Sequence, residues 1–361
     1  MNEPLVEIII LTLNGKDDTI KCLNSLRRTR YGNFRVTVVD QNSSDGTPAL
    51  MEKEFPWANL VRNAENTGFC KANNLILTRS EAKYCVLLNN DTEQDPDWLS
   101  ALVNVAEQDV TVAALQPKVL SMREPGRFEY AGAAGGFMDI YGYPLCRGRV
   151  FDHVEEDHGQ YDDCREIFWS CGVAMFLRTE VLRKVGYLDE LMFIYAEELD
   201  LCWRLNLAGY RLLFVHRSIV YHLGSATMAR KQFRYRKEYL THRNHWIILF
   251  KNYRPGTWCR IFPVKLFLEA LACIYFLPSH TRKSLAIFRA GLWVLSHPFL
   301  LMRKNREVVR LRQIPDRLIM RRMIRASIAL RYFLFKQRRF QDFAAFIEEF
   351  ETMTGESQKA Q

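Results

Sequence analysis

Asp40 and Asp91 each close an apolar run, FRVTVVD and YCVLLNND, so each places a charge where a buried strand reaches the edge of its sheet. In α/β folds that edge is where ligands bind. A third segment, FIYAEELDLCWR, carries Glu197, Glu198 and Asp200. A carboxylate at a strand end suits Mg²⁺ or Mn²⁺, ions that keep several waters and bridge to substrate phosphates through one or two protein carboxylates. Together these segments suggest an enzyme that handles a diphosphate with a metal.

Each residue also has a plainer explanation. Asp91 can cap a helix, since Pro96 starts one soon afterwards, and Asp45 in NSSDGT can simply form an Asx turn. Two acidic strand ends in succession, from neighbouring strands, line one crevice: the first can accept a base N–H and the second can reach the diphosphate through metal. The stretch NAENTGFCKANN sets Asn63, Asn66, Asn73 and Asn74 around Gly68 and Phe69. Asparagine both donates and accepts, which suits sugar hydroxyls, and it equally suits turns and caps.

Glu197 and Glu198 are adjacent and therefore occupy different faces of a helix, so one can enter a cleft while the other holds structure. Arg204 lies seven positions beyond Glu197, near the same face. The segment reads either as a base that removes a proton from an acceptor hydroxyl or as a solvated acidic helix paired with Arg204. His222 closes RLLFVHRSIVYH, as a half-buried histidine or as a neutral imidazole ligand to the same metal.

The elements that must position these groups are a βαβ series. From residue 6 to 120, β-branched runs (VEIIILTLN, FRVTVVD, YCVLLNND, VAALQPKVL) alternate with helical patterns such as DTIKCLNSLRRTR and PDWLSALVNVAEQ. Strands apolar on both faces predict a parallel sheet covered by helices on both sides. Residues 121–168, rich in Gly and in acids from Asp152 to Asp163, read as a long, partly mobile loop over the site. AGAAGG lacks the spacing and leading strand of a phosphate-binding turn. Order returns with IFWSCGVAMFLRTEVLRKVGYLDE, a strand followed by an amphipathic helix.

Charge divides the chain. Residues 1–224 hold 23 Lys and Arg against 32 Asp and Glu, whereas residues 225–361 hold 27 against 9. At 361 residues and 48% hydrophobic content the chain buries a substantial core, and disorder as a whole is excluded. Nine cysteines without a CxxC pair argue against a zinc ribbon or a disulfide framework and favour a reducing cytoplasm. MNEPLVEIII has no basic leader and reads as the first core strand, not a signal peptide. In the tail, the apolar runs 261–277 and 285–302 fall short of the ~18 to 20 uninterrupted apolar residues of a spanning helix. Lys265 and Glu269 can pair at i, i+4. The basic stretch from Arg303 to Arg339, interleaved with Leu, Ile, Met, Tyr and Phe, predicts helices lying in a membrane surface.

In this order, LTLNG, VVDQNSSDGT, NAENTGFCKANN, LLNND, FWSCGVAMFLR, GYLDELMFIYAEELDLCWRLNLAGY and YHLGSAT resemble the family 2 glycosyltransferases of GT-A fold, over roughly residues 5–225. The resemblance is to the branch that includes bacterial rhamnosyltransferases of O-antigen and cell-wall glycan assembly. It implies a Rossmann-like, mostly parallel sheet over 1–225, with a helical membrane-associating region over 226–361. It further implies that Thr12, Asn14 and Asp40 hold the nucleotide, that Asp91 and His222 bind Mg²⁺ or Mn²⁺, with Asn89 where many relatives carry a second Asp, and that Glu198 is the base. Asn66, Asn73, Asn89, Asn90, Glu197 and Arg204 would line the donor site, and Trp169 to Gly172 would shape the sugar pocket.

Two departures stand out: NND replaces the Asp-x-Asp of many relatives, and Glu197-Glu198 replaces Glu-Asp, so Glu197 or Asp200 can also be the base. The implied reaction is an inverting transfer from a nucleotide-diphosphate sugar, rhamnose from dTDP or a hexose or N-acetylhexosamine from UDP, to a polyprenyl-linked or polysaccharide acceptor. The implied location is cytoplasmic, peripheral at the inner membrane's cytoplasmic face. A non-catalytic protein that binds a membrane or nucleic acid is the competing class; the acidic front domain argues against nucleic acid. Oligomeric state is left open.

Overall fold

The alternating runs become alternating strands and helices. A computed structural model describes residues 3–224 and 231–343, and the 225/226 boundary between front domain and tail lies outside the described residues. The chain starts as β1 (Val6–Thr12), α1 (Lys16–Leu26), β2 (Phe34–Asp40), α2 (Thr47–Glu54), β3 (Asn59–Arg62), α3 (Gly68–Leu77) and β4 (Tyr84–Asn89). These strands lie parallel in the order β3-β2-β1-β4. Ile8, Ile9, Ile10, Val86 and Leu87 are almost wholly buried, as expected where helices cover both sheet faces.

The chain continues through β5 (Thr92–Gln94), α4 (Trp98–Gln108), β6 (Val112–Ser121), β7 (Gly136–Met138), β8 (Pro144–Cys146), β9 (Arg149–Val150), β10 (His153–Val154), β11 (Cys164–Glu166) and β12 (Ala174–Arg178). Then come α5 (Thr179–Val185), α6 (Glu197–Leu207) and β13 (Arg211–His222). The central sheet has the order β11-β13-β6-β12-β4-β1-β2-β3, with β5 on β13. β6 and β13 are parallel, and β12 runs antiparallel between them and β4. Six of the nine strands point the same way, giving the expected α/β, mostly parallel architecture of the GT-A type.

Residues 121–168 depart from the expected mobile loop. They fold into a second, antiparallel sheet of β7 to β10, with Phe137, Met138, Leu145, Cys146 and Val150 buried. The glycines serve close packing: Gly132, at φ 133°, sits against the Cys171 side chain, and Gly136 lies under the Trp169 ring. Two of the acids pair with buried cations, Asp163 with Arg147 at 2.5 Å and Asp157 with Lys118 at 2.8 Å. All nine cysteines are free thiols.

The tail adds α7 (Lys231–Asn252), α8 (Pro255–Phe276), α9 (Thr281–Ser296) and α10 (Pro298–Leu311). α7 is bolted to the front domain: Lys251 Nζ lies 2.6 Å from Asp189 and 2.8 Å from Asp200. Lys265 and Glu269 do pair, at 2.7 Å, in a buried position. Among the described residues no single helix is long and apolar enough to cross a membrane.

Candidate active site

Parallel register brings the first two sequence motifs together. Thr12 at the end of β1 pairs with Asp40 at the end of β2, and Leu11 pairs with Asn89 at the end of β4. Asn90 Nδ2 donates to Thr19 Oγ1 at 3.1 Å and reaches Thr12 Oγ1 at 3.4 Å. Gly15 makes this possible, because a Cβ there would stand 2.5 Å from Asn90 Nδ2. Asn14, at φ 51°, accepts the Ser44 N–H on Oδ1 at 2.8 Å and donates its own N–H to Ser43 Oγ at 2.9 Å. The loops after β1 and β2 are therefore tied to each other.

Asp40 Oδ2 accepts the Ser43 N–H at 3.1 Å, while its buried Oδ1 has no hydrogen-bond partner among the described residues. A buried acceptor left open is costly unless a ligand donates to it. Gln41, which the sequence did not single out, accepts from Asn63 Nδ2 at 2.9 Å and donates to the Gly68 carbonyl at 3.1 Å. Asn66 is turned to local work, its Oδ1 accepting the Gly68 N–H at 3.0 Å. Asn73 donates to the Phe69 carbonyl at 2.9 Å and keeps a buried Oδ1 unpaired.

At the next strand end, His222 Nε2 lies 3.1 Å from Asp91 Oδ1 and 3.4 Å from Asn89 Nδ2. On its other side His222 Nδ1 lies 3.0 Å from Glu129 Oε2. Burial alone would depress the imidazolium, but hydrogen bonds and charge from Asp91 and Glu129 outweigh it and push its pKa up to about 9. Glu129 sits in a Gly-rich stretch with no motif around it, so no sequence signal points to it. A small cleft lined by Asp18, Lys21, Asp91, Thr92, Met122 and Leu223 opens beside the pair. Burial and the nearby Asp91 raise the pKa of Asp18.

Asp91 offers a carboxylate, and His222, held as an imidazolium by its two carboxylate neighbours, would offer Nε2 to a cation only on giving up that proton. That donor set fits a divalent cation which completes its shell with water and diphosphate oxygens. Among the described residues no group of three or more His, Cys, Asp or Glu could cage a metal alone.

The acidic helix enters from a strained turn. Phe193, Tyr195 and Ala196 all have positive φ, at 64°, 74° and 65°, in the four residues before α6. Such residues cost about 1 kcal/mol or more each and persist only where the surroundings fix them. Asn244 of α7 does this: its Nδ2 donates to the carbonyls of Met192, Ile194 and Tyr195 at 3.0, 3.0 and 2.7 Å. The turn also meets α3, where the Cys70 N–H donates to the Phe193 carbonyl at 3.2 Å. A Cβ on Gly68 would stand 2.6 Å from the Phe193 ring.

Glu197 is buried with Oε2 unpaired, and burial plus the adjacent Glu198 push its pKa well above the carboxylate range. Glu198 is partly exposed; burial raises its pKa to about 7, with the Arg149 guanidinium pulling in the opposite direction. Asp200 is committed to structure, accepting from Arg204, Lys251 and Asn252 at 2.9, 2.8 and 3.0 Å. Arg204 is equally engaged, donating to the carbonyls of Val185, Gly186 and Tyr187. Four of the five guanidinium N–H groups of Arg204 are thus committed within the fold. Trp169 is buried and donates to the Phe137 carbonyl at 2.7 Å, so its indole N–H is committed within the fold. Gly172 lies over Phe69, 3.8 Å from where a Cβ would stand, joining the FWSCG and Asn-rich segments.

Residues 7–186 match the family model described as Glycosyl transferase family 2. The O-antigen biosynthesis protein RfbC of Myxococcus xanthus is 27% identical over 68% of this chain, which spans only 19% of that protein's length. The N-acetylglucosaminyl-diphospho-decaprenol L-rhamnosyltransferase of Mycobacterium tuberculosis is 24% identical over 60% of this chain and 76% of its own. Among solved structures, S. aureus TarS 1–349 superposes with a TM-score of 0.53 at 15% identity, covering 99% of this chain and 92% of that one. GalNAc-T7 with UDP, GalNAc and Mn²⁺ gives a TM-score of 0.50 at 16% identity, over 61% and 43%. With this family match over a GT-A type sheet, the chain belongs to glycosyl transferase family 2.

Proposed function

We propose that this nucleotide-sugar transferase moves rhamnose from dTDP-rhamnose onto a polyprenyl-linked or polysaccharide glycan, inverting the anomeric carbon, at the cytoplasmic face of the inner membrane. The observation that carries the reading is the gathering of Asp40, Asp91 with His222, and the Glu197-Glu198 pair from four separate segments, the ends of β2, β4 and β13 and the start of α6, around the β1-β2-β4 end of the sheet. The relatives' names, O-antigen synthesis and decaprenol-linked rhamnosyl transfer, support the choice of sugar and acceptor.

Asp40 Oδ1, buried and open, accepts an N–H of the nucleotide base, and Thr12 and Asn14 shape the walls around it. Asp91 and His222 would hold Mg²⁺ or Mn²⁺, which when bound neutralises charge on the departing diphosphate. Glu198, poised near neutrality, takes the proton of the acceptor hydroxyl as that oxygen bonds to the anomeric carbon and the bond to the diphosphate breaks. Glu197 stays protonated beside it, because burial and its neighbour disfavour a second charge. Direct displacement needs no carboxylate nucleophile, and the product is inverted.

A UDP-hexose or UDP-N-acetylhexosamine donor is the second reading, favoured by the structural likeness to GalNAc-T7 with UDP, GalNAc and Mn²⁺. Incubation of the purified protein with each labelled donor and a polyprenyl-diphosphate N-acetylglucosamine acceptor separates them. Transfer from dTDP-rhamnose with inverted anomeric configuration supports the proposal. Transfer from a UDP-sugar alone, or a retained configuration, overturns it.

A further inference from the structure

Two neighbouring helices of the tail leave apolar stripes open. On α8, Val264, Phe267, Leu271 and Ile274 recur at helical spacing and are exposed. On α9, Leu285, Phe288, Leu292 and Leu295 do the same, and the stripe runs on to Phe299 of α10, which is 82% exposed. The opposite faces are used inward: Trp258, Ile261 and Leu268 of α8 and Ala286, Ile287 and Ala290 of α9 are buried. The helices touch through Ser284 Oγ, which donates to the Cys273 carbonyl at 2.9 Å. Tyr275, at the end of α8, meets the Phe333 ring at 5.5 Å, and the next residues, Leu334 and Phe335, are 67% and 70% exposed. An open apolar surface of this kind marks an interaction site.

Charge decides the occupant. Between Pro255 and Arg306 the one acid is Glu269, and it is buried against Lys265. Arg260, Arg282, Arg289, Arg303 and Arg306 are all exposed on the same helices. A second copy of the chain seated here would bring two arginine rims together with only Glu307, already 3.8 Å from Lys304 on its own helix, as an exposed acid to offset them, because a two-fold contact is self-complementary. A bilayer with anionic headgroups satisfies both the apolar stripes and the arginines. The 76° bend between α9 and α10 suits elements that lie on a surface.

We infer that the outward faces of α8 and α9, with Phe299 and the Phe333–Phe335 segment, form a docking face for an anionic lipid bilayer. This deepens the proposed function by stating how the enzyme reaches a lipid-linked acceptor, yet its test does not depend on the donor or the acceptor.

The test is co-sedimentation of the full-length protein with vesicles of phosphatidylcholine, alone or mixed with phosphatidylglycerol. Strong binding to the mixed vesicles that weakens with salt is expected. The triple variant R282Q/R303Q/R306Q should lose binding on the order of a hundredfold at low salt. F288S/L292S/L295S should lose about tenfold or more to both vesicle types. These side chains are exposed, so circular dichroism and nucleotide-induced thermal shift should match the parent, which separates failure of docking from failure of the donor site. Protein that stays in the supernatant with anionic vesicles, or variants that bind like the parent, would overturn the inference. So would a stable dimer in analytical ultracentrifugation that F288S/L292S/L295S dissociates.

Discussion

His222 Nε2 stands 3.1 Å from Asp91 Oδ1 although 131 residues separate them, and Glu129 closes on the other ring nitrogen at 3.0 Å. The imidazole is oriented from behind by one carboxylate and paired in front with another. Such backing partners fix ring orientation and raise ligand basicity. Replacing Glu129 by Gln should weaken Mn²⁺-dependent binding of a nucleoside diphosphate about 10- to 100-fold. Asp91→Asn should cost at least as much. Calorimetric titration of each variant with and without EDTA reads the effect.

Glu198→Gln should lower kcat by about 10² to 10⁴ while leaving donor affinity unchanged, since the amide keeps the shape and loses the proton acceptor. The pH profile carries a sign. The working form is the carboxylate, so activity should rise with pH through a limb near 7 and level off above it, in line with the raised pKa of Glu198. A profile that falls across that range, or an unimpaired Gln variant, would remove Glu198 from the role.

Asn244→Ala tests the strained turn. Removing one side chain that satisfies three carbonyls should destabilise the fold by about 1–3 kcal/mol in urea titration. Because Glu198 follows directly from that turn, kcat should drop while nucleotide affinity stays close to the parent's. Equal losses in both would mean that the turn also shapes the donor site.

Lys265 and Glu269 form a buried pair extended by His242 at 2.7 Å and by the Tyr143 hydroxyl at 3.2 Å. Burial would raise the Glu269 pKa, but Lys265 and His242 outweigh it and hold the carboxyl well below its ordinary range. A depressed folded-state pKa contributes stability that is present above the unfolded value, near 4.5, and lost as pH falls below it. Lys265→Met should therefore cost about 3–5 kcal/mol at neutral pH by stranding the carboxylate, and K265M/E269L should recover most of that. The double variant should also lose part of the acid-side decline in stability.

Much of the site could be read along the chain because strand ends announce themselves: β-branched runs stop at Asp40, at Asn89 just before Asp91, and at His222. What escaped was set by distant partners. Helical spacing places Arg204 near the acid pair, yet its guanidinium is drawn to the carbonyls of Val185, Gly186 and Tyr187. Asp200 looked as free as Glu198 until Lys251, fifty-one positions on, was seen to hold it. Gly132 and Gly136 read as freedom, whereas close packing on Cys171 and Trp169 is what requires them. Glu129 and Asn244 have no local pattern, because their roles come from the fold alone.

Asp40 and the Asp91–His222 pair are proposed to form the nucleotide-sugar site. The measurement that tests it most directly is calorimetric titration of the folded protein with dTDP, UDP, GDP and ADP, each with Mn²⁺ or with EDTA. Metal-dependent binding of dTDP that Asp91→Asn abolishes is expected. Absence of binding by any of the four, in protein whose unfolding transition shows it to be folded, would contradict it.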